Sequence, residues 1–261
     1  MKPFISIVLL LTFLIAPLTN AADSDIDVLP QYQYLPSDSV TEQVETARLK
    51  AVQTDKLLLL VLGAQWCHDS RGLSQQFSTP TLHEIISNRF ETVFVDVGYY
   101  KDYRGLTRQF GYPGYFATPS VMVIEPKQQQ LLNMQTMPTW NAAHSVSSEE
   151  YLDYFSTIGT VERPEPESLS TEQKERVSQV HNFANQQTAR LFEGFKLISP
   201  LLRGAVEDQL NDFTELEALS DEAYAFRMQL QKDIHSLHQL ALESDQALEY
   251  PSYGPFSWEA H

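Results

Sequence analysis

The run Leu57-Leu58-Leu59-Leu60-Val61-Leu62 stops at Gly63-Ala64 and leads at once into Gln65-Trp66-Cys67-His68-Asp69-Ser70 and an amphipathic helical pattern. An apolar stretch of strand length without polar alternation fits a strand covered on both faces, and so demands a layered fold with a sheet in its middle. Cys67, at the junction, is the only cysteine among 261 residues. A strand that delivers a thiol to the first turn of a helix sets its sulfur against unpaired backbone N–H groups and the positive end of the helix dipole. Both favour thiolate over thiol, which is the arrangement of a working sulfur nucleophile.

The N-terminus has the marks of a secretory signal. Lys2 gives a positive start, Phe4 to Ile15 an apolar core, and Thr19-Asn20-Ala21 small residues around a cut before Ala22. That apolar core is shorter than the ~20 residues that span a bilayer comfortably. Residues 1–21 are therefore expected to be removed, leaving a periplasmic or secreted protein with no membrane attachment, in a compartment that permits disulfides. A lone cysteine there cannot close an intramolecular bridge. It is an inert buried side chain, a free reactive thiol, or half of an intermolecular disulfide. The net charge of −16, without any Lys/Arg cluster, argues against nucleic acid and against docking on an anionic membrane.

Taken in order, residues 22–37 form an aperiodic lead, and helical spacing then runs through Val44, Ala47, Leu49 and Val52. After the strand at 56–62, a helix is expected over 70–88, with Pro80 forcing a kink or break near Ser78-Thr79. Thr92 to Val97 reads as the next strand, Asp102 to Phe110 as a short helix, and Phe116 to Ile124 as a strand entered through Pro119. Leu131 to Gln135 pairs with that strand as a hairpin, and Ser147 with Glu150 has capping-box spacing before a helix to Ile158. Strands alternating with helices, closed by a hairpin, imply a parallel pair and an antiparallel edge. The Pro-rich acidic segment at 161–169 reads as a linker to a helical extension over 170–248. Ser199-Pro200 is expected to break its first helix, and the extension reads as two or three antiparallel helices, the later segments at about 202–218 and 221–248, with an aperiodic tail over 249–261. Such a short bundle has a small core, so it is expected to pack on the first domain or on a second copy of itself.

Trp66-Cys67 at a helix onset, with Thr118-Pro119 before a buried strand, resembles the thioredoxin family, whose motif is Trp-Cys-x-x-Cys. The resemblance covers about residues 38–158 of an expected domain at 38–160, and implies an α/β thioredoxin-like fold, a central mixed sheet flanked by helices, followed by the all-helical extension. It implies that Cys67 is the nucleophile, and that Thr118 and a cis Pro119 supply the backbone that pairs with substrate. Trp66 would be an apolar platform at the rim, with His68 beside it. The second cysteine is replaced by Ser70, whose hydroxyl is expected to donate a hydrogen bond to the sulfur. A dithiol cycle is then closed to the chain unless a partner provides the second sulfur. Val61 stands where thioredoxins place a buried acid, and Gln75 where many of them carry a helix proline, so general reductase activity is not expected.

The resemblance thus implies a single cysteine acting in thiol–disulfide exchange on protein thiols or disulfides, with glutathione or a redox partner as the resolving thiol. The alternative is a catalytically idle thioredoxin-fold binding or scaffold module, in which the aromatics near the Pro119 loop (Tyr112, Tyr115 and Phe116) and on the tail would bind a partner or a second copy. Glutathione transferases also append helices to such a domain, but the tail is short for them and a secretory signal is unusual there. A protonated His68 and Arg71 would favour the thiolate and Asp69 would oppose it, so the residues alone leave the net sign open. Nothing in the pattern calls for a cofactor or a metal. His235 and His238 lie one helical turn apart, but without a third ligand they read as a solvated helix surface.

Overall fold

The computed structural model describes residues 32–160 and 169–260. The expected signal, most of the lead and most of the linker fall outside them. A four-stranded sheet runs in the order β2-β1-β3-β4. β1 (Leu57–Gly63) is parallel to β2 (Phe90–Asp96) and antiparallel to β3 (Ser120–Glu125), which pairs antiparallel with β4 (Gln130–Leu131). Leu60 lies opposite Val93 on one side and Met122 on the other, so β1 is the centre of the sheet.

Because successive strand residues point to opposite faces, β1 divides its leucines between two cores. Leu58, Leu60 and Leu62 join Met122 and Ile124 under α1 (Val40–Thr54) and α4 (Arg104–Arg108). Leu59 and Val61 join Val121 and Val123 under α2 (His68–Phe77), α3 (Pro80–Arg89) and α5 (Ser148–Thr157). The continuous apolar run is explained by this: neither face of β1 meets water. Pro80 does not kink one long helix. It occupies the first turn of α3, where its missing N–H costs no helical bond, and extended Thr79 caps it.

The expected second hairpin strand over 131–135 is cut to Gln130–Leu131. Asn133 replaces it: its side-chain oxygen accepts the Val123 N–H and its amide donates to the Val121 carbonyl, each at 2.9 Å. With the β3 backbone satisfied by a side chain, the chain turns away into a 3-10 segment, Met134–Ser145. Ser147 then caps α5 in the reciprocal arrangement with Glu150 that the spacing anticipates.

The C-terminal part is two helices, and the expected break at Pro200 is absent. α6 (Thr171–Val206) continues through Pro200, and α7 (Thr214–Glu243) follows after a turn. Pro200 is exposed, and Phe195, Ile198, Leu201 and Leu202 hold both sides of it on the core, which offsets the helical bond its missing N–H cannot make. The two helices form an antiparallel hairpin whose Phe192, Phe195, Leu230 and Ile234 share one apolar cluster with Leu60 and Met122 of the sheet. The extension therefore docks on the first domain as a further layer over the α1/α4 face. The whole is a thioredoxin-like mixed sheet flanked by helices, with a helical C-terminal part.

Candidate active site at the β1–α2 junction

β1 ends at Gly63, and a turn closed by the Cys67 N–H on the Ala64 carbonyl (3.1 Å) brings Cys67 to the N-cap of α2. Its backbone is still extended (φ −79°, ψ 125°), while its carbonyl already accepts the Arg71 N–H at 3.1 Å. The sulfur thus lies beside the open N–H groups of the first helical turn, half-buried and free of any disulfide. Arg71 latches the turn from outside, donating from one nitrogen to the Gln65 and Trp66 carbonyls at 2.8 and 2.9 Å.

Thr118 and Pro119, distant in sequence, are brought to Cys67. The Sγ–H donates to the Thr118 carbonyl at 2.9 Å, and the Thr118–Pro119 peptide is cis. Both residues are buried, so the carbonyl is held by its surroundings rather than by the thiol.

Ser70 departs from expectation. It is fully buried, and its Oγ accepts the Ala64 N–H at 3.3 Å; among the described residues it makes no hydrogen bond to Cys67. One helical turn past the cysteine, the side chain points under the loop toward Tyr34 rather than out to the sulfur. Gly63 makes room for this, because a Cβ there would stand 2.5–2.7 Å from the Tyr34 ring and Ser70 Oγ. Burial pushes the Tyr34 hydroxyl well above its ordinary pKa; Ser70 draws it down and the nearby Cys67 charge pushes it further up.

His68 is exposed at the mouth, its ring centroid 3.9 Å from that of His144, a residue the sequence did not single out. Asp69 accepts the His144 N–H at 3.0 Å and so ties the 3-10 segment to the first turn of α2. Gly72 permits the approach, since a Cβ there would meet the His144 backbone at 3.0 Å. On the opposite side Trp66 donates to the Gly98 carbonyl at 2.7 Å and stands edge-on to Tyr100, centroids 5.5 Å apart. Tyr100 in turn stacks on Phe195 of α6 at 4.3 Å and 9°. The helical extension therefore reaches the rim of the cysteine site through Tyr100, which also escaped the sequence: the loop after β2 has no period to mark it.

Two expectations are overturned by the docked hairpin. Tyr112, Tyr115 and Phe116 are buried, not exposed, because the hairpin covers them: Tyr115 meets Phe192 edge-on, and the Tyr112 hydroxyl lies 3.1 Å from His235 Nε2. His235 is likewise no solvated surface residue. It is buried at the seam, where Gln231 also donates to the Tyr112 hydroxyl at 3.1 Å. His238 is half-buried beside it, its ring parallel to that of His181. Among the described residues no group of three or more His, Cys, Asp or Glu is placed to hold a metal ion, and no helix is long and apolar enough to cross a membrane.

No family model and no curated protein matches the chain. Among solved structures it is similar to a disulphide isomerase from Xylella fastidiosa Temecula1, at 25% identity and a TM-score of 0.43, over 48% of this chain and 96% of that one.

Proposed function

We propose that this chain carries out thiol–disulfide exchange through Cys67 alone. The observation that carries the reading is Cys67, partly exposed at the N-cap of α2, with its sulfur 2.9 Å from the carbonyl of Thr118. As a thiolate, Cys67 attacks one sulfur of a substrate disulfide; a Cys67–substrate S–S bond forms, the substrate S–S bond breaks, and the other sulfur leaves with the electron pair and takes a proton. With no second cysteine in the chain, the mixed disulfide is resolved by a thiol of the client, by glutathione or by a redox partner. Resolution by another thiol of the same client is isomerisation; resolution by glutathione is net reduction.

In this reading the backbone of Thr118 and Pro119 positions the substrate chain, and Trp66 and His68 border it. Ser70 supports the turn from below instead of activating the sulfur. The signal-like residues 1–21 suit a protein of the periplasm or exterior, where client disulfides persist.

The test is an insulin-reduction and scrambled-disulfide isomerase assay, with and without glutathione, alongside non-reducing gels of the protein incubated with disulfide-containing clients. Wild type is expected to give trapped species that Cys67→Ala lacks, and turnover only with an added thiol. Absence of trapped species for both proteins leaves the idle binding module as the reading.

A further inference from the structure

The helical hairpin forms most of a cavity of about 210 Å³, which Tyr100, the ring that Trp66 meets edge-on, joins to the rim of the cysteine site. Tyr100 closes it on the domain side; Phe195 and Ile198 of α6, and Ala223, Tyr224 and Arg227 of α7, close the rest. Tyr100 is held in the left-handed region at φ +68°, an unusual conformation for a bulky side chain. It persists because its surroundings fix it: the neighbouring Gly98 carbonyl is bonded to Trp66, and the Tyr100 ring is clamped between Trp66 and Phe195. The loop is thus shaped to present one ring to both the thiol and the hairpin.

Arg227 provides the charge in this cavity. Its Nε is buried and has no hydrogen-bond partner, and its guanidinium lies over the Tyr224 ring at 5.2 Å. Among the described residues it makes no ion pair. Asp221 borders the same cavity but is exposed, so water screens it. Burial raises the Tyr100 pKa, Arg227 lowers it by its charge and by a hydrogen bond to the hydroxyl, and the Cys67 charge raises it, so Tyr100 lies between Arg227, whose Nε remains unpartnered, and the cysteine. A half-buried guanidinium with unused donor capacity is costly by itself and is repaid by an anion, best by a carboxylate, which matches its planar fork.

We propose that this cavity is a substrate subsite that takes a carboxylate carried near the reacting sulfur, with Arg227 as the specificity-determining residue. The proposal rests on the exchange reading of Cys67. The carboxylate lies against Arg227, the apolar part of the substrate on Phe195 and Ile198, and the disulfide passes the Trp66–Tyr100 edge to Cys67. It comes either from an acidic residue flanking a client cysteine or from a small thiol such as glutathione.

The test measures second-order rates of Cys67 mixed-disulfide formation by mass spectrometry, using the full chain. The small probes are oxidised glutathione and dithiodiglycolate (anionic), hydroxyethyl disulfide (neutral) and cystamine (cationic). A pair of peptide disulfides with Glu or Gln beside the cysteine forms the second arm. In Arg227→Gln the anionic-to-neutral rate ratio is expected to fall about tenfold in at least one arm, with the neutral rate within about twofold of wild type. Arg227→Lys is expected to fall between the two. The arm that responds identifies the source of the carboxylate. A ratio indifferent to Arg227 in both arms overturns the subsite and leaves exchange standing. Failure of Cys67 to react with any probe overturns exchange, and the subsite with it.

Discussion

The two faces of the sheet are covered by different chemistry. Under α2, α3 and α5 the core is aliphatic and aromatic: Phe77, Phe155, Tyr151 and Trp140 meet edge-on or tilted, and its buried ionisable groups are tyrosines. Burial pushes Tyr34 and Tyr151 further up, so both stay neutral at physiological pH. On the other face the hairpin docks through an apolar patch that ends in a polar seam, where Tyr112, Gln231 and His235 are buried together and His181 and His238 stack nearby. The first face is a fixed support for the loop that carries Cys67. The second is a joint whose strength depends on protonation, and it is the one that brings Phe195 and Arg227 to the cysteine site.

The largest effect should come from the fixed face. Phe155→Ala removes a fully buried ring in contact with Phe77 and Trp140. It is expected to lower the unfolding free energy by about 3–5 kcal/mol in denaturant melts, to the same extent at pH 7 and pH 5. A loss that varies with pH would show that the two faces are not independent.

Acid should act on the seam. Burial lowers the His235 pKa to about 4, with His238 adding a repulsive push; His238 is lowered to about 4 by burial and by His181, and burial lowers His181 as well. A histidine whose folded pKa lies below its unfolded value contributes fully above the unfolded value, near 6.5, and that contribution is lost as pH falls toward the folded value. Docking is therefore expected to be strongest above pH 6.5 and to weaken progressively between pH 6.5 and about 4. For His235 the loss is on the order of 3 kcal/mol over the whole window. Hydrogen-exchange protection factors of the amides in α6 and α7, each taken against the intrinsic rate at the same pH, should fall across that window before those of β1. His235→Gln should remove part of the change, His238 and His181 carrying the rest; an unaltered pH profile in that variant would assign the sensitivity elsewhere.

A smaller effect separates docking from folding. A Cβ on Gly114 would stand 2.7 Å from Thr188 Cγ2 and 3.1 Å from Phe192 of α6. Gly114→Ala is expected to cost about 1–3 kcal/mol by overpacking. Its signature is faster proteolysis of the hairpin with little change in the protection of β1. Equal loss in both would mean that the layers unfold as one unit.

How much of this was legible in the sequence follows the same division. The β1 run, the Cys67 junction, the break at Pro80 and the Ser147–Glu150 cap depend on residues within one turn or one strand, and local spacing revealed them. The hairpin side depends on contacts across a hundred residues. Pro200 looks like a stop until it is seen exposed on a helix whose flanks are held by the core. Tyr112, Tyr115 and Phe116 look like a binding surface until α6 and α7 cover them. Ser70 illustrates a limit at the site itself: its spacing from Cys67 was plain, but the direction of its hydroxyl was set by the Ala64 N–H and by the room left at Gly63. His144 and Tyr100 carried no signal, because one lies in an irregular 3-10 segment and the other in a short loop.

The central claim is that the fold presents the Cys67 sulfur for exchange. The direct measurement is the rate of mixed-disulfide formation at Cys67 with a neutral small disulfide, in the folded protein and in the same chain unfolded in urea, at one pH. The account predicts that the folded protein reacts at least as fast as the unfolded chain. A folded-state rate suppressed tenfold or more would mean that the structure shields the thiol rather than deploys it, and would contradict the proposal.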